Sequence, residues 1–312
     1  MEDIPDQLTQ VGAGKLDSMS MWKRRAFLAV PGLGLLGSCT STPKLVVGAK
    51  EGVEGTLISE IVCQLLERKL KARIERRFNV KGSTAMYQAL QEGQIDVYPE
   101  YSRIAFKVLL KAVEPIDEAM TLDSMRKGFH TNAQADCLPF LGFQNIYTAV
   151  VLAENFNFNS IGTLSQAAES KAGWQLGCTS DFAQSIEGYT ELKRHYKLEE
   201  SAGTRLEPVN QLFFGLRDKR IDILITGSTD PRLKDARYRT LADDQGLFSP
   251  NRCLLLHREE AALKYPSILP VMQSLSGKID NTAMEKLNGE VEINKRGFTE
   301  VAGEWLTQTK LA

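Results

Sequence analysis

The sequence predicts an α/β protein of two lobes around a cleft. Three observations carry that expectation. Strand-like and helix-like segments alternate from Lys44 onward, and two separate stretches, "MYQALQEGQIDVYPEY" and "LFFGLRDKRIDILITGSTD", share one order of features. The chain of 312 residues, 43% hydrophobic and 25% charged, is also long enough for two cores.

The elements follow in order. "KLVVGAK" reads as a strand, Thr56 to Lys71 as an amphipathic helix, "ARIERRF" as a strand, and "STAMYQALQEG" as a helix opening at Ser83 and closing at Gly93. Ile95, Val97 and Tyr98 read as a short strand that Pro99, with no N–H to donate, is expected to end. Tyr101 then falls just past a strand's carboxyl end, where open α/β sheets receive ligands. A second unit repeats the rhythm. "NIYTAVVLA" is a strand, Thr163 to Lys171 a helix, "WQLGC" a strand and residues 187–196 a helix. "TRLEPV", a helix over 210–219 and "IDILIT" complete it. "SILPVMQSLSGKI", "NTAMEKLNGEVEI" and "FTEVAGEWLTQ" show helical apolar spacing at the tail. Alternation of this kind implies a mostly parallel sheet covered by helices.

The two similar stretches each run aromatic, Leu, polar turn, Ile-Asp-apolar strand and polar loop. They read as two lobes each sending a helix-strand-loop toward a shared cleft, although βαβ units also resemble one another without sharing a site. The formal charge is −1, from 38 basic and 39 acidic residues, with no basic run in the folded region; nucleic acid is set aside as a partner. Cys63, Cys137, Cys178 and Cys253 sit in apolar contexts without repeated spacing and read as buried free thiols. His130, His195 and His257 are far apart and no CxxC occurs, so no metal site and no cofactor are expected.

The amino terminus reads as a leader. Lys23, Arg24 and Arg25 precede an apolar run of 11 residues from Ala26 to Leu36, followed by Gly37-Ser38-Cys39. That run is about 16 Å long as a helix, against a hydrocarbon core of about 30 Å. It is too short to span. Residues 1–18 look like neither signal nor domain, which a true start at Met19 or Met21 explains. Leu-Gly-Ser-Cys resembles the lipobox of bacterial lipoproteins, which implies acylation of Cys39 and a location on the outer side of the membrane, periplasmic or at the cell surface. A plain secretory peptide with an incidental Cys is the alternative.

From residue 44 to 311 the chain resembles the substrate-binding proteins of osmoprotectant ABC importers, the glycine betaine, choline and carnitine binders. "VVGAKEGVEGTLISEIVCQLLE", "ALQEGQIDVYPEYS", "GFQNIYTAVV", "LFFGLRDKRIDILITGSTDP", "LADDQGLFSPNR" and "GKIDNTAMEKLNGEVEINKRGFTEVAGEWL" carry the likeness, in order. It implies a type II periplasmic-binding-protein fold. Lobe 1 would hold residues 39–145 and 229–312 and lobe 2 residues 146–228, after a leader of 1–38. The chain would cross between lobes near Asn145-Ile146 and Gly227-Ser228. A quaternary ammonium has no N–H to donate, so aromatic faces hold it, each desolvated contact contributing about 2 kcal/mol.

The resemblance places Tyr101 and Tyr147 as two walls of such a cage and Phe213 where the family usually has a tyrosine. Glu54, Arg103, Ser228, Thr229 and Asp230 complete the implied contact set. Several positions depart from the family pattern. Gly227 stands where a ring is common, Gly55 where a Gln is, Arg103 where a Gly is and Ile104 where a Thr is. Ser185 stands where an Arg is frequent before Glu187-Gly188. The missing ring at 227 is expected to leave one side of the cage open. Two placements are open to Arg103. It points inward, demanding a ligand anion or a local acid such as Glu100 or Asp230, or it lies on the outer face of the helix beginning near Ser102. Phe213 likewise reads as wall or as core.

The resemblance implies a monomeric receptor without a reaction to catalyse. It would close on a quaternary-ammonium or zwitterionic solute, present it to an ABC permease, and touch the membrane only through its lipid anchor. An enzyme on the same fold would need a nucleophile or a carboxylate pair at the cleft, for which Cys178, or Glu100 with Asp230, are the candidates. A sensor handing its ligand to another partner is a third class.

Overall fold

The computed structural model describes residues 42–113, 118–199 and 203–311; the expected leader and Cys39 lie outside these. The first unit runs β1 (Lys44–Lys50), α1 (Val53–Leu70), β2 (Arg73–Val80), α2 (Ser83–Gln91) and β3 (Val97–Tyr101). Gly93 makes the turn into β3 at φ 71°, a conformation that costs glycine little. A short α3 (Ser102–Ile104) continues into a π-helical turn (Ala105–Leu110), followed by α4 (Glu118–Ala133) and β4 (Ala135–Cys137).

The second unit holds β5 (Tyr147–Leu152), α5 (Leu164–Glu169), β6 (Leu176–Cys178), α6 (Ser180–Gln184), α7 (Tyr189–Tyr196), β7 (Arg205–Leu206), α8 (Val209–Arg217), β8 (Ile223–Gly227) and β9 (Tyr238–Leu241). Thr163 and Thr179 accept backbone N–H bonds that start α5 and α6. The chain returns through β10 (Cys253–Arg258) to α9 (Glu259–Lys264), α10 (Ile268–Gln273), α11 (Asn281–Glu292) and α12 (Phe298–Gln308).

The strands form two five-stranded sheets of matching topology, β2-β1-β3-β10-β4 and β7-β6-β8-β5-β9. Helices cover both faces of each. One core lies between the first sheet and α1 and α10–α12, and a second joins its other face to α2 and α4. The second sheet has a core on each face as well. The arrangement is the expected type II periplasmic-binding-protein fold.

Three expectations need correction. The first is a qualification: four of the five strands in each sheet run one way, as expected of a mostly parallel sheet, but β10 runs antiparallel between β3 and β4, and β5 antiparallel between β8 and β9. Pro99 does not end β3. It pairs with Leu255 of β10, and Arg258 N–H donating to Asp96 O fixes the alternation so that Pro99 occupies a non-hydrogen-bonded position. Its missing N–H faces β1, whose pairing with β3 is confined to Val47 and Val97, so the ladder loses nothing. Tyr101 is therefore the last residue of the strand.

The third correction concerns the second crossing. β9 belongs to the second sheet, so residues 238–241 do not return to the first lobe at 229 as expected. The chain goes back between β9 and β10. The connecting segments, 138–146 and 242–252, run side by side, with Gln144 bridging Arg252 and Asn145 N–H donating to Asn251 O at 3.0 Å.

Candidate functional site

The carboxyl end of β3 and the amino end of β5 bring the two lobes' chemistry together. Tyr101 closes β3 and packs edge-on against Phe143, centroids 6.4 Å apart. Lys50, at the end of β1, lies over the Tyr101 ring at 5.1 Å and pairs with the fully buried Glu100. Tyr147 opens β5 in an aromatic corner with Phe182 at 4.7 Å and Phe248 at 6.0 Å. The Arg103 guanidinium lies over the Tyr147 ring at 5.3 Å. Each expected wall thus already carries a cation of this chain.

Arg103 points inward and is 4% exposed. Its acid is neither Glu100 nor Asp230. It pairs with Glu187, on the loop between α6 and α7 of the other lobe, whose second carboxylate oxygen takes Lys107 at 2.7 Å. Arg103 and Lys107 are one helical turn apart, so both reach the same carboxylate. Ser249 adds its backbone N–H at 3.3 Å and hydroxyl at 3.2 Å to Glu187. Burial pushes the Tyr147 phenol up, with Arg103 opposing, and burial beside Glu54 pushes Tyr101 up; both are neutral donors at ordinary pH.

Glu54, in the first turn of α1, is the centre of a second cluster. One oxygen accepts from the Tyr101 phenol and from Asn145 Nδ2 at 3.0 Å. The other accepts from Thr229 Oγ1 at 2.6 Å and Asn288 Nδ2 at 2.9 Å. Four neutral donors hold the carboxylate between the first lobe and both Asn145 and Thr229. Ser228 ties the same region. Its hydroxyl accepts from Ile146 N–H at 3.0 Å, and its own N–H donates to Ile146 O at 2.7 Å.

Asp230 caps a 3₁₀ turn and pairs with Arg232 at 2.8 Å, and Arg232 pairs in turn with Glu292 of α11. Phe213 does not join Tyr147. Along β5, Tyr147, Ala149 and Val151 face one core while Val150 and Leu152 face the other, and Phe213 is buried with the latter pair against Tyr238. Of its two readings, core is the one adopted, with Arg232 over its ring at 5.2 Å. The side expected to be open at Gly227 is also filled. A Cβ there would stand 2.3 Å from Asn145 Oδ1.

The residues nominated for an enzyme are dispersed. Cys178 is buried in the second sheet's core, Glu100 is with Lys50, and Asp230 is with Arg232. All four described cysteines are buried free thiols. No group of three His, Cys, Asp or Glu among the described residues could hold a metal ion, and no described helix is long and apolar enough to cross a membrane. Lys50, Lys107 and Asn288 are not singled out in the sequence reading, Asn145 enters it only as a lobe crossing, and Glu187 is not among the expected site residues. The one signal was the "EG" at 187–188, read only as a family position.

Comparison with known proteins adds identity to this geometry. Over 268 residues the chain is 27% identical to the ergothioneine transport permease/ergothioneine binding protein EgtU of Helicobacter pylori, covering 86% of this chain and 48% of that one. It therefore spans about half the length of that relative. It is 25% identical over 283 residues to the carnitine transport binding protein OpuCC of Listeria monocytogenes, covering 89% of each. A crystal structure of a glycine betaine/carnitine/choline ABC transporter protein superposes with a TM-score of 0.73 at 22% identity, over 86% of this chain and 99% of the other. That likeness shows the fold. The two named relatives are transport binding proteins, one joined to a permease. Residues 43–308 match the OpuAC family, and the chain accordingly belongs to the substrate-binding domains of ABC-type glycine betaine transport systems.

Proposed function

We propose that this chain is the exported, lipid-anchored receptor of an ABC importer, and that it captures a zwitterionic betaine-like or amino-acid-derived solute between its lobes. The observation that carries the reading is the pair of rings, Tyr101 and Tyr147, each with a cation over its face. Surfaces that hold an ammonium and a guanidinium suit an onium group. The surrounding charges balance, with Lys50, Arg103 and Lys107 against Glu54, Glu100 and Glu187. A bare cation gains no net attraction there. Were Glu187 to leave it, Arg103 would repel a cation 4 Å away by about 4 kcal/mol at an effective dielectric of 20, more than the roughly 2 kcal/mol a single ring returns. A solute carboxylate turns that repulsion into attraction.

The relatives' names, which include carnitine and ergothioneine, point to the same solute class. The leader supports an anchor at Cys39, with the two-lobed body outside the membrane, working as a monomer with an ABC permease. Glu54, Ser228, Thr229 and Asp230 act as supports of the cleft rather than as contacts. The test is a competition titration of choline against glycine betaine and carnitine. The best zwitterion should bind at least tenfold tighter than choline, about 1.4 kcal/mol; choline binding best refutes the reading. The Cys39→Ala protein should leave the membrane fraction, and its retention there refutes the anchor.

A further inference from the structure

The buried bridge between the lobes has a part to play beyond binding. Arg103 and Lys107 follow β3 in the first lobe, and Glu187 belongs to the second. The side chains of Arg103 and Glu187 are each 5% exposed. An ion pair removed from water is hard to break unless another charge replaces the departing one. The guanidinium also lies on the Tyr147 face, the surface assigned above to the solute's cation. Both charged ends of a zwitterion therefore have internal counterparts in place. Arg103 takes the cation's position on the ring, and Glu187 takes the anion's position on Arg103.

We propose that Glu187 is an internal stand-in for the solute's anionic group: it holds the two lobes together through Arg103 and Lys107, and it yields the guanidinium when a solute carboxylate arrives. Glu187 does not have to go to water when it yields, because Ser249 still donates to both its oxygens. Lys107, 35% exposed, stays within its reach. The exchange also explains selectivity. A zwitterion supplies a charge for each partner it displaces, whereas a bare cation displaces Arg103 and leaves it competing with the cation for Glu187. The exchange rests on the zwitterion reading, but the bridge does not.

Small-angle scattering of the solute-free protein tests the bridge directly. A compact chain of 312 residues has a radius of gyration of about 19.5 Å, and Glu187→Gln should increase it measurably through hinge opening. Glu187→Gln takes the counter-charge from the buried Arg103 guanidinium and so risks misfolding. The paired variant Arg103→Met with Glu187→Gln removes both charges and should open equally. Superimposable scattering from wild type and both variants overturns the proposal.

The second arm titrates glycine betaine and carnitine. A bridge occupied in nine molecules of ten weakens apparent affinity about tenfold, so Glu187→Gln should bind the solute that wild type binds about tenfold more tightly. Opening without that gain overturns the exchange and leaves the bridge as a lobe contact only. If neither solute binds any of the proteins while Glu187→Gln still opens, the bridge stands and the solute reading fails.

Discussion

Gly227→Ala is the substitution that most sharply probes how the cleft is filled. A methyl at this position would stand 2.3 Å from Asn145 Oδ1 and 3.1 Å from its Cγ and Nδ2, and the first distance is closer than any real side-chain carbon sits. Two responses are open. If the Asn145 amide swings away, it gives up its 3.0 Å bond to Glu54, and a hydrogen bond to a charged group contributes about 1.5–3 kcal/mol. If it stays, the overpacked contact costs about 1–3 kcal/mol. Either route destabilises by about 2 kcal/mol.

Urea unfolding of four proteins separates this from a backbone effect: wild type, Gly227→Ala, Asn145→Ala and the double variant. Asn145→Ala removes both the obstruction and the donor to Glu54. It should itself cost about 2 kcal/mol, and adding Gly227→Ala to it should then cost almost nothing. The predicted coupling is about 2 kcal/mol, well above the roughly 0.5 kcal/mol expected of independent sites. Additive losses would refute the claim that Asn145 occupies the space above Gly227. They would also restore the expectation of an open side to the cage.

Tyr101→Phe should lower unfolding stability by about 1.5–3 kcal/mol, because it deletes one of the four donors to the Glu54 carboxylate; an unchanged urea midpoint would mean that the phenol does not hold it. His257 is buried, with Nε2 unpartnered, and burial holds it below its ordinary value of 6.5. The unfolded chain therefore takes up a proton near pH 6.5 that the folded chain refuses. Stability should be complete above that pH and fall by up to about 1.4 kcal/mol per pH unit below it, down to the folded-state value. A His257→Leu protein whose stability has the same slope between pH 6.5 and 5 would count against this. Burial pushes the Cys137 thiol up to about 12 and raises Cys63 and Cys253 as well, so Cys63, Cys137 and Cys253 should react with a thiol reagent only on unfolding. Rapid labelling of any of them in the native protein would contradict their burial.

One-sided burial made some elements legible in the sequence, and continuous burial hid β10 though not α1 or β8. α11 and α12 announce themselves by periodicity, since each packs one face against α1, which itself lies on the first sheet and is buried without a break from Thr56 to Leu66. β10 carries the run Cys253 to Leu256, each 0% exposed, and a strand covered on both faces has no alternation to read. β9 is missed for the opposite reason, because Tyr238, Arg239 and Thr240 are not buried and only Leu241 is. Missing both strands moved the second crossing to Gly227-Ser228, and with it the lobe boundary. Pro99 was misread because its effect depends on which neighbour its nitrogen faces, which is a property of the whole sheet.

The site divides along the same line. Residue types suited to holding a cation were visible in the sequence, while their partners were not. Glu187 lies 84 positions from Arg103, and only the closing of two lobes puts them together. Phe213 makes the sharpest case. Its neighbours in sequence are consistent with either wall or core, but once β5 is paired, parity decides. Tyr147 and Val151 share one face of the sheet, Val150 and Leu152 the other, and Phe213 packs with Val150 and Leu152. An aromatic on the far face of a sheet cannot close a cage begun on the near one. On the proposed reading, a solute cation would meet two rings of this set rather than three or four. Under the proposed function that shortfall would shift more of the binding onto the groups around Arg103, where a zwitterion's carboxylate can replace Glu187 and a bare cation cannot.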